Sequence, residues 1–492
     1  KMNSLLFYEI SGIPFGETFA QEVIKYNTLM HSTFTNEQLE FIDPTDELVD
    51  FVKKNLSYVD KAKQFQLKRM SKNPWMRTSP AYAALQQSVK GQVFSHNGNT
   101  LTVPSGFFDM FVENFPNENY TDSRKETGKK ISLPWEVKPY ELRPYQIEVV
   151  DLLLQPTKYR GIVNFATGLG KTLTAIHLIK RYKRTALIVC PSDSVAKQFY
   201  TQCETAFGKG IVGFYGAGKK KINDITIGIA ASITRNTEDF KNADFGMVIF
   251  DEIHHIAADT FYNIAEAVSG VGKVFGLTAT DYRSDGKDIM ITAGCGPVVA
   301  RRDVKWGITN GFLAEPYFMI RQVETGGKDF KDNKIKNYKE HVLNNSIMKD
   351  IILNDALNMM NAGRTVLVLV DEVAHGEELA KQLGVPFATG EDSKSQDYVD
   401  SLNQGEIRGL VGTDGRIGEG TDTQNVDVLI LANFIASKGP VIQAVGRSLR
   451  KTAKKNKCIV LDYIPLGSEQ LTRHAWGRVD YYRDITDKIK IL

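Results

Sequence analysis

Two doubly wound α/β domains behind a smaller α+β module are the fold class that this sequence predicts, and three observations predict it. From Leu142 onward, short β-branched apolar runs alternate with stretches of helical periodicity, as a parallel sheet wrapped by helices requires. The alternation occurs twice, once up to about residue 310 and again from Ser346. Residues before 136 instead carry a hairpin signal among separate helical stretches, with no such alternation. The boundaries therefore read as 1–135 for the α+β module, 136–310 for the first α/β domain, 311–345 for a connector and 346–492 for the second α/β domain.

Length and composition agree. A chain of 492 residues suffices for about three domains. With 42% hydrophobic and 24% charged residues and no low-complexity tract, it should be folded nearly throughout. No apolar run approaches the roughly 18–20 residues of a membrane span, and no secretory pattern opens the chain. A cytoplasmic protein without membrane contact is expected. Cys190, Cys203, Cys295 and Cys458 form no C-x-x-C pair and have no histidine at ligand spacing, so buried free thiols are expected rather than zinc or disulfides. A net charge of +3 permits a nucleic-acid partner without arguing for one.

In the first module, Asp43-Pro44-Thr45-Asp46-Glu47 reads as a helix start, with Asp43 as cap and Pro44 in the first turn. Basic and apolar residues then interleave from Lys61 to Met70 and continue to Arg77. Lys68, Arg69, Lys72 and Trp75 suit a nucleic-acid surface, since cations meet phosphates and rings stack on bases. An ordinary solvated face fits the same residues equally well. Gly91 to Val103 reads as a hairpin about Asn97-Gly98, an aromatic helix follows near Phe107 to Phe111, and polar Asn117 to Lys130 reads as a linker.

The chemistry begins at Phe165-Ala166-Thr167-Gly168-Leu169-Gly170-Lys171-Thr172, between the apolar run Gly161 to Phe165 and a helical pattern. Gly168 and Gly170 let the backbone turn its N–H groups, with the helix N-terminus, onto one anion. Thr167 lies in that turn, Lys171 would reach the outer phosphates and Thr172 would hold Mg²⁺. The full P-loop pattern has a glycine where this chain has Phe165, and a glycine-rich turn before a helix can be only a turn. The second element narrows the choice. Val248-Ile249-Phe250-Asp251-Glu252 is a buried strand ending in two carboxylates, one suited to Mg²⁺ and the other to orienting an attacking water. Gln146, at the start of the domain, could pair with the adenine N6 and N7. Pro191-Ser192 and Ser232 follow further strands, where hydroxyls can donate to a phosphate chain or simply cap helices.

These motifs, in this order, resemble the signatures of superfamily-two helicases over about residues 140 to 480. Arg143 and Gln146 resemble the adenine motif, Lys171 and Thr172 motif one, and Asp251-Glu252-Ile253-His254 a DExH-type motif two. Thr278-Ala279-Thr280 resembles motif three. Gly412-Thr413-Asp414 with Glu419-Gly420-Thr421-Asp422 resembles motif five, and Gln443-Ala444-Val445-Gly446-Arg447-Ser448-Leu449-Arg450 matches motif six throughout. The resemblance implies two RecA-like domains closing on ATP and Mg²⁺, the metal held at Thr172 and Asp251. Lys171, Asp251, Glu252, His254, Gln443, Arg447 and Arg450 would be catalytic, His254 coupling the nucleotide site to Gln443. Gly420 and Asp422 would face the nucleotide, and Pro191, Ser192, Ser232 and Thr413 the nucleic-acid backbone. Arg447 and Arg450, one helical turn apart, would reach a γ-phosphate across the cleft.

Three strings are similar to phage UvsW-type branch-migration helicases and their XPB-like relatives: Leu142 to Gln146, Tyr282-Arg283-Ser284-Asp285-Gly286-Lys287, and Arg473 to Tyr482. That branch implies an ATP-dependent DNA helicase or translocase acting on forks and junctions in replication, recombination or repair. The oligomeric state stays open, a monomer being favoured, and the location would be the host cytoplasm if the protein is phage-encoded. The alternatives are an RNA helicase, a restriction-type DNA motor and a nucleotide-gated DNA-binding protein without unwinding. For the restriction motor, Glu136-Val137-Lys138 offers only a nuclease-like fragment.

Overall fold

The computed structural model describes residues 31–116, 118–134, 141–256, 258–279, 286–331, 333–390, 392, 394–413, 423–434, 438–452 and 455–492. Glu136 to Lys138, Thr280 to Asp285, Asp414, Glu419, Gly420 and Asp422 lie outside them.

The first module is built on strands β1 (His31–Phe34), β2 (Gln38–Ile42), β5 (Ser95–Asn97), β6 (Thr100–Pro104) and β7 (Tyr120–Asp122), ordered β5-β6-β2-β1-β7. β5 and β6 are the expected hairpin, closed by Gly98 at φ 57°, a left-handed value that glycine tolerates. The helix Asp46–Asn55 is capped by Thr45, whose hydroxyl accepts from the Leu48 N–H at 3.2 Å, and not by Asp43. Asp43 sits at φ 52° and turns the chain out of β2, so it cannot take the extended conformation a cap needs. β3 (Ser57–Val59) and β4 (Lys90–Gln92) make a separate antiparallel ribbon. From its end the chain leaves as an arm of three helices, Lys61–Ser71, Pro74–Arg77 and Pro80–Ser88, none of which has a buried residue. Phe65 and Trp75 are 64% and 88% exposed there.

Two parallel sheets follow. The first holds β8 (Arg160–Phe165), β9 (Ala186–Cys190), β10 (Val212–Gly216), β11 (Lys219–Lys220), β12 (Ile225–Ile229), β13 (Met247–Phe250), β14 (Lys273–Thr278) and β15 (Val298–Arg302), ordered β11-β10-β12-β9-β13-β14-β8-β15. Only the short β11 runs antiparallel. β8, β9, β12, β13 and β14 are buried along their whole length, which is why apolar residues dominate them instead of alternating with polar ones. The second sheet holds β16 (Glu315–Val323), β17 (Val366–Val370), β18 (Phe387–Ala388), β19 (Gly409–Thr413), β20 (Val428–Ala432), β21 (Lys457–Pro465) and β22 (Ile489–Ile491), ordered β18-β19-β17-β20-β21-β16-β22. β16 corrects the assigned connector: nine residues of it pair with β21, so the second domain's sheet begins at Glu315 and not after Ser346.

The first module does not hang from a linker. Its core includes Ala258, Met290 and Ala293 from two helices of the first α/β domain. A Cβ on Gly106 would lie 1.9 Å from the Thr292 carbonyl oxygen, so only glycine permits that approach. The segment read as a linker is laid along the same domain. The Arg124 guanidinium lies over the rings of Phe34, Phe108 and Tyr159 at 3.9, 4.4 and 4.3 Å, and Thr127 donates to the Phe245 carbonyl. Among the described residues no helix is long and apolar enough to cross a membrane.

Candidate active site

β8 runs into the turn 166–170 and then the helix Lys171–Tyr182, so the phosphate-loop residues lie at the carboxyl end of a sheet strand. Gly168 and Gly170 have φ of 88° and 82°, which side chains rarely adopt. Both are also points of close approach. A Cβ on Gly170 would meet Gln146 Nε2 at 2.4 Å, and one on Gly168 would meet Leu313 and Arg450 at 3.0 and 3.2 Å. Lys171 is buried and its Nζ lies 3.2 Å from both the Phe165 carbonyl and Glu252 Oε1.

Asp251 and Glu252 follow β13, next to β14 in the sheet. Asp251 is buried, and its Oδ1 has no hydrogen-bond partner among the described residues. Burial first and the neighbouring Glu252 charge second push its carboxyl up to about 7, against the opposing pull of Lys171. A buried carboxylate oxygen lacking a donor is the kind of group a divalent cation satisfies, and Thr172 lines the same cavity. These residues fit Mg²⁺: Asp251 and Thr172 would hold it, and it would supply positive charge against a bound polyphosphate. Glu252 sits at φ 42°, a left-handed backbone held by its surroundings, at a cost on the order of 1–3 kcal/mol.

The cavity, about 330 Å³, lies between the two α/β domains and is lined by Arg143, Thr167, Gly168, Gly170, Lys171, Thr172, Asp251, Glu252, Gln443, Arg447 and Arg450, among others. The domains meet at His254. Its Nε2 is 2.9 Å from Gln443 Nε2 and its Nδ1 is 2.7 Å from Thr278 Oγ1. With the Gln443 amide donating, His254 is neutral and carries its proton on Nδ1, which donates to Thr278. One imidazole thereby joins the segments after β13 and β14 to the helix Lys438–Ser448. Gly446 of that helix faces the loop itself: a Cβ there would stand 3.1 Å from Thr167 Cβ.

Three expected placements differ. Gln146 is 1% exposed and does not line the cavity; its Oε1 accepts from the Arg143 N–H while Nε2 donates to the Leu169 and Gly170 carbonyls. With one end of its amide closing its own helix start and the other holding the loop, it positions phosphate-binding backbone and is not placed to read adenine. Arg450 is not on the helix with Arg447, because the helix ends at Ser448 and Arg450 bridges to Leu313 instead; both arginines still line the cavity. Pro191 lines the nucleotide cavity rather than a separate nucleic-acid path. Ser192 precedes the helix Asp193–Phe207 with its hydroxyl 3.1 Å from that of Ser194, half-buried Ser232 lies within the helix Ala230–Thr234, and half-buried Thr413 ends β19. Lys68, Arg69, Lys72 and Trp75 are all exposed on the arm, and none lines the cavity.

Sequence reasoning missed Tyr145, whose hydroxyl donates to the Leu169 carbonyl at 2.7 Å and whose ring packs on Phe165, Trp306 and Phe312. It also missed Gln198 and Gln202, which line the cavity from one helix. Their spacing of four, which puts both on one helical face, was the available signal.

Comparison with known proteins agrees with this architecture. Residues 139–283 match the family described as type III restriction enzyme, res subunit. The candidate DNA 3′–5′ helicase Rad25 of Halobacterium salinarum is 27% identical over 302 residues, 59% of this chain and 49% of that protein. The chain spans about half the length of the first curated relatives it matches. The crystal structure of T4 UvsW aligns with 94% of this chain and 99% of that chain at 18% identity and a TM-score of 0.42. A fragment of an HsdR subunit of a type I restriction enzyme from Vibrio vulnificus YJ016 aligns with 73% of this chain and 70% of that chain, at 19% identity and a TM-score of 0.54, and shares the fold. With a P-loop, a paired carboxylate and a two-arginine segment meeting in one interdomain cavity, and with Rad25-type relatives, the chain is similar to the superfamily-two helicases.

Proposed function

We propose that this chain is an ATP-driven DNA translocase that unwinds or branch-migrates forked and branched DNA, as in replication, recombination or repair. The observation that carries the reading is the His254 bridge to Gln443, with Arg447 and Arg450 lining the same cavity as Lys171. Lys171 and the loop N–H groups bind the β- and γ-phosphates, Glu252 orients the attacking water, and the two arginines stabilise charge on the departing phosphoryl group. Asp251 and Thr172 hold Mg²⁺. Arg143, which lies over the Phe312 ring at 5.2 Å and lines the cavity, would face the base. Hydrolysis would loosen the Gln443 and arginine contacts and let the two domains part, which is the motor stroke.

On the DNA side, Ser192, Ser232 and Thr413 are the motor's proposed backbone contacts, and Gly420 and Asp422 are proposed to bind nucleotide. Lys68, Arg69, Lys72 and Trp75 give the arm three cations and one exposed ring, which suits a duplex end or an unpaired base at a branch. ATPase rates with single-stranded, linear duplex, forked and four-way DNA, and with RNA, test the reading. Stimulation by RNA alone, or no stimulation by any polynucleotide, would overturn it. The match to a restriction-enzyme family favours one second reading, a restriction motor; cleavage of supercoiled DNA by the purified chain would establish that instead.

A further inference from the structure

We propose that the cluster Asp60, Lys287 and Asp259 is the joint through which the nucleotide site sets the pose of the helical arm, with Lys287 as its positioning residue; this rests on the nucleotide-site reading above. Three separate stretches of chain meet there. Asp60 is the root of the arm: its carboxylate caps the helix Lys61–Ser71 by accepting from the Lys63 N–H at 3.0 Å, and its own N–H donates to the Val89 carbonyl at 2.8 Å. Both ends of the arm thus close on one residue. Lys287 Nζ lies 3.0 Å from Asp60 Oδ2 and 3.1 Å from Asp259 Oδ1, with the Lys287 and Asp60 side chains 10% and 5% exposed. Beside them Gly286 has φ 77°, and a Cβ there would lie 2.9 Å from the Val59 carbonyl oxygen, so the motor backbone presses directly on the end of β3.

The positions of these residues in the motor give the contact its meaning. Asp259 is in the first turn of the helix Ala258–Ala267, which follows the short turn Ile253–His255 that carries His254. Lys287 immediately precedes the helix Asp288–Cys295, downstream of Thr278. Thr278 and His254 are hydrogen-bonded to each other beside the cavity-lining Glu252, and Asp259 and Lys287, which come later in the chain than His254 and Thr278 respectively, meet again at Asp60. Asp60 and Lys287 are nearly buried while the Asp259 side chain is 75% exposed, so removing either of the first two strands a charge and that pair moves together. Because no residue of the arm's three helices is buried, the arm has no core of its own to fix its direction against the motor. Its root does that. A change in the distance between the segments after β13 and β14, on closing around or releasing ATP, would swing the exposed Trp75 face.

The test uses the full chain with Asp60→Asn and Lys287→Met. Asparagine caps a helix as well as aspartate, so Asp60→Asn removes the ion pair and leaves the helix start intact. Binding of a fluorescent non-hydrolysable ATP analogue should be unchanged in both variants. Hydrogen exchange of residues 61–88 should differ between ADP and the analogue in the parent chain and be the same for both nucleotides in the variants. Because coupling between two sites is reciprocal, affinity for a forked DNA should depend on nucleotide by about 5-fold or more in the parent and by less than about 2-fold in Asp60→Asn. If Lys287→Met fails to fold, Asp60→Asn decides alone. Normal nucleotide binding with nucleotide-independent exchange of the parent arm overturns the proposal, as does a parental affinity ratio in Asp60→Asn. A parent chain that binds no ATP analogue overturns the site reading, and the proposal with it.

Discussion

Replacing Asp251 with asparagine should stabilise the protein while abolishing turnover, and only above a definite pH. The carboxyl of Asp251 is raised from 3.8 to about 7 by burial and by Glu252, so the folded chain holds its proton where the unfolded chain has lost it. The penalty is therefore absent below about pH 4, grows as pH rises through the interval from 4 to 7, and is complete above 7. A pKa difference of that size corresponds to on the order of 4 kcal/mol, before relaxation and the coupling to Glu252 and Lys171 reduce it. Asparagine resembles the protonated acid and escapes the penalty. For a domain of this size, a few kcal/mol moves a melting temperature by roughly 5–10 °C. Thermal unfolding without nucleotide or metal, at pH 5 and pH 8, should show the variant melting higher at pH 8 with a smaller gap at pH 5. Added Mg²⁺ with an ATP analogue should raise the parent's Tm more than the variant's, since the cation stabilises the ionised form that asparagine cannot supply. A variant that melts no higher than the parent at pH 8, or a gap independent of pH, would refute the reasoning about the buried carboxylate.

Lys171→Ala and Glu252→Gln should both abolish hydrolysis but separate in a binding titration, because Lys171 holds phosphate whereas Glu252 orients water; equal loss of nucleotide affinity would show the roles to be wrong. Arg447→Ala and Arg450→Ala should each lower kcat on the order of 10³-fold, and near-normal DNA-stimulated turnover removes that arginine from the catalytic set. Neutralising Lys68, Arg69 and Lys72 together should lower the slope of log affinity against log salt by about 2.7 if all three meet duplex phosphates; an unchanged slope assigns them to a solvated face.

What could be read from the chain follows from where its constraints are local. A strand buried on both faces must be apolar along its length, and a phosphate-binding turn must follow its carboxyl end, so β8 with Gly168 to Thr172 and β13 with Asp251 were legible directly. β16 was not, because its burial alternates: Pro316, Phe318 and Ile320 turn inward while Arg321 and Gln322 do not. That alternation was itself a strand signal inside a stretch read as connector. Gln146 was misplaced for another reason. An amide's chemistry can be read from sequence, but which groups use it depends on a loop more than twenty residues away. Arg450 and the cap at Thr45 turned on a helix ending or starting two residues from its expected place, which residue type alone does not decide.

The first module also changes which truncation is informative. Cutting the chain near residue 135 looks like a clean way to isolate the motor, but it uncovers Ala258, Met290 and Ala293, which the module buries, and half-buried Ile289 and Tyr262 beside them. It also strips Arg160, a fully buried guanidinium, of the Asn36 carbonyl that accepts from it. Re-exposing Met290 alone costs roughly 1.5–3 kcal/mol, and Arg160 loses one of the four carbonyls it donates to. A motor starting at residue 136 should therefore be poorly folded, and its failure to bind junctions would say nothing about branch recognition. Excising the arm alone avoids this. Val59 and Lys90 are partners across the β3–β4 ribbon, so a two-residue Asn-Gly turn can join them in the hairpin geometry the pair already has. No buried residue of the arm's helices is lost with them. Excision also removes Asp60 and leaves Lys287 with only the exposed Asp259 of that pair of carboxylates, so the excised protein should melt somewhat below the parent, yet keep its basal ATPase while losing salt-sensitive preference for forks over linear duplex. If it keeps the parental preference, branch selection belongs to the two motor domains and the arm serves something else.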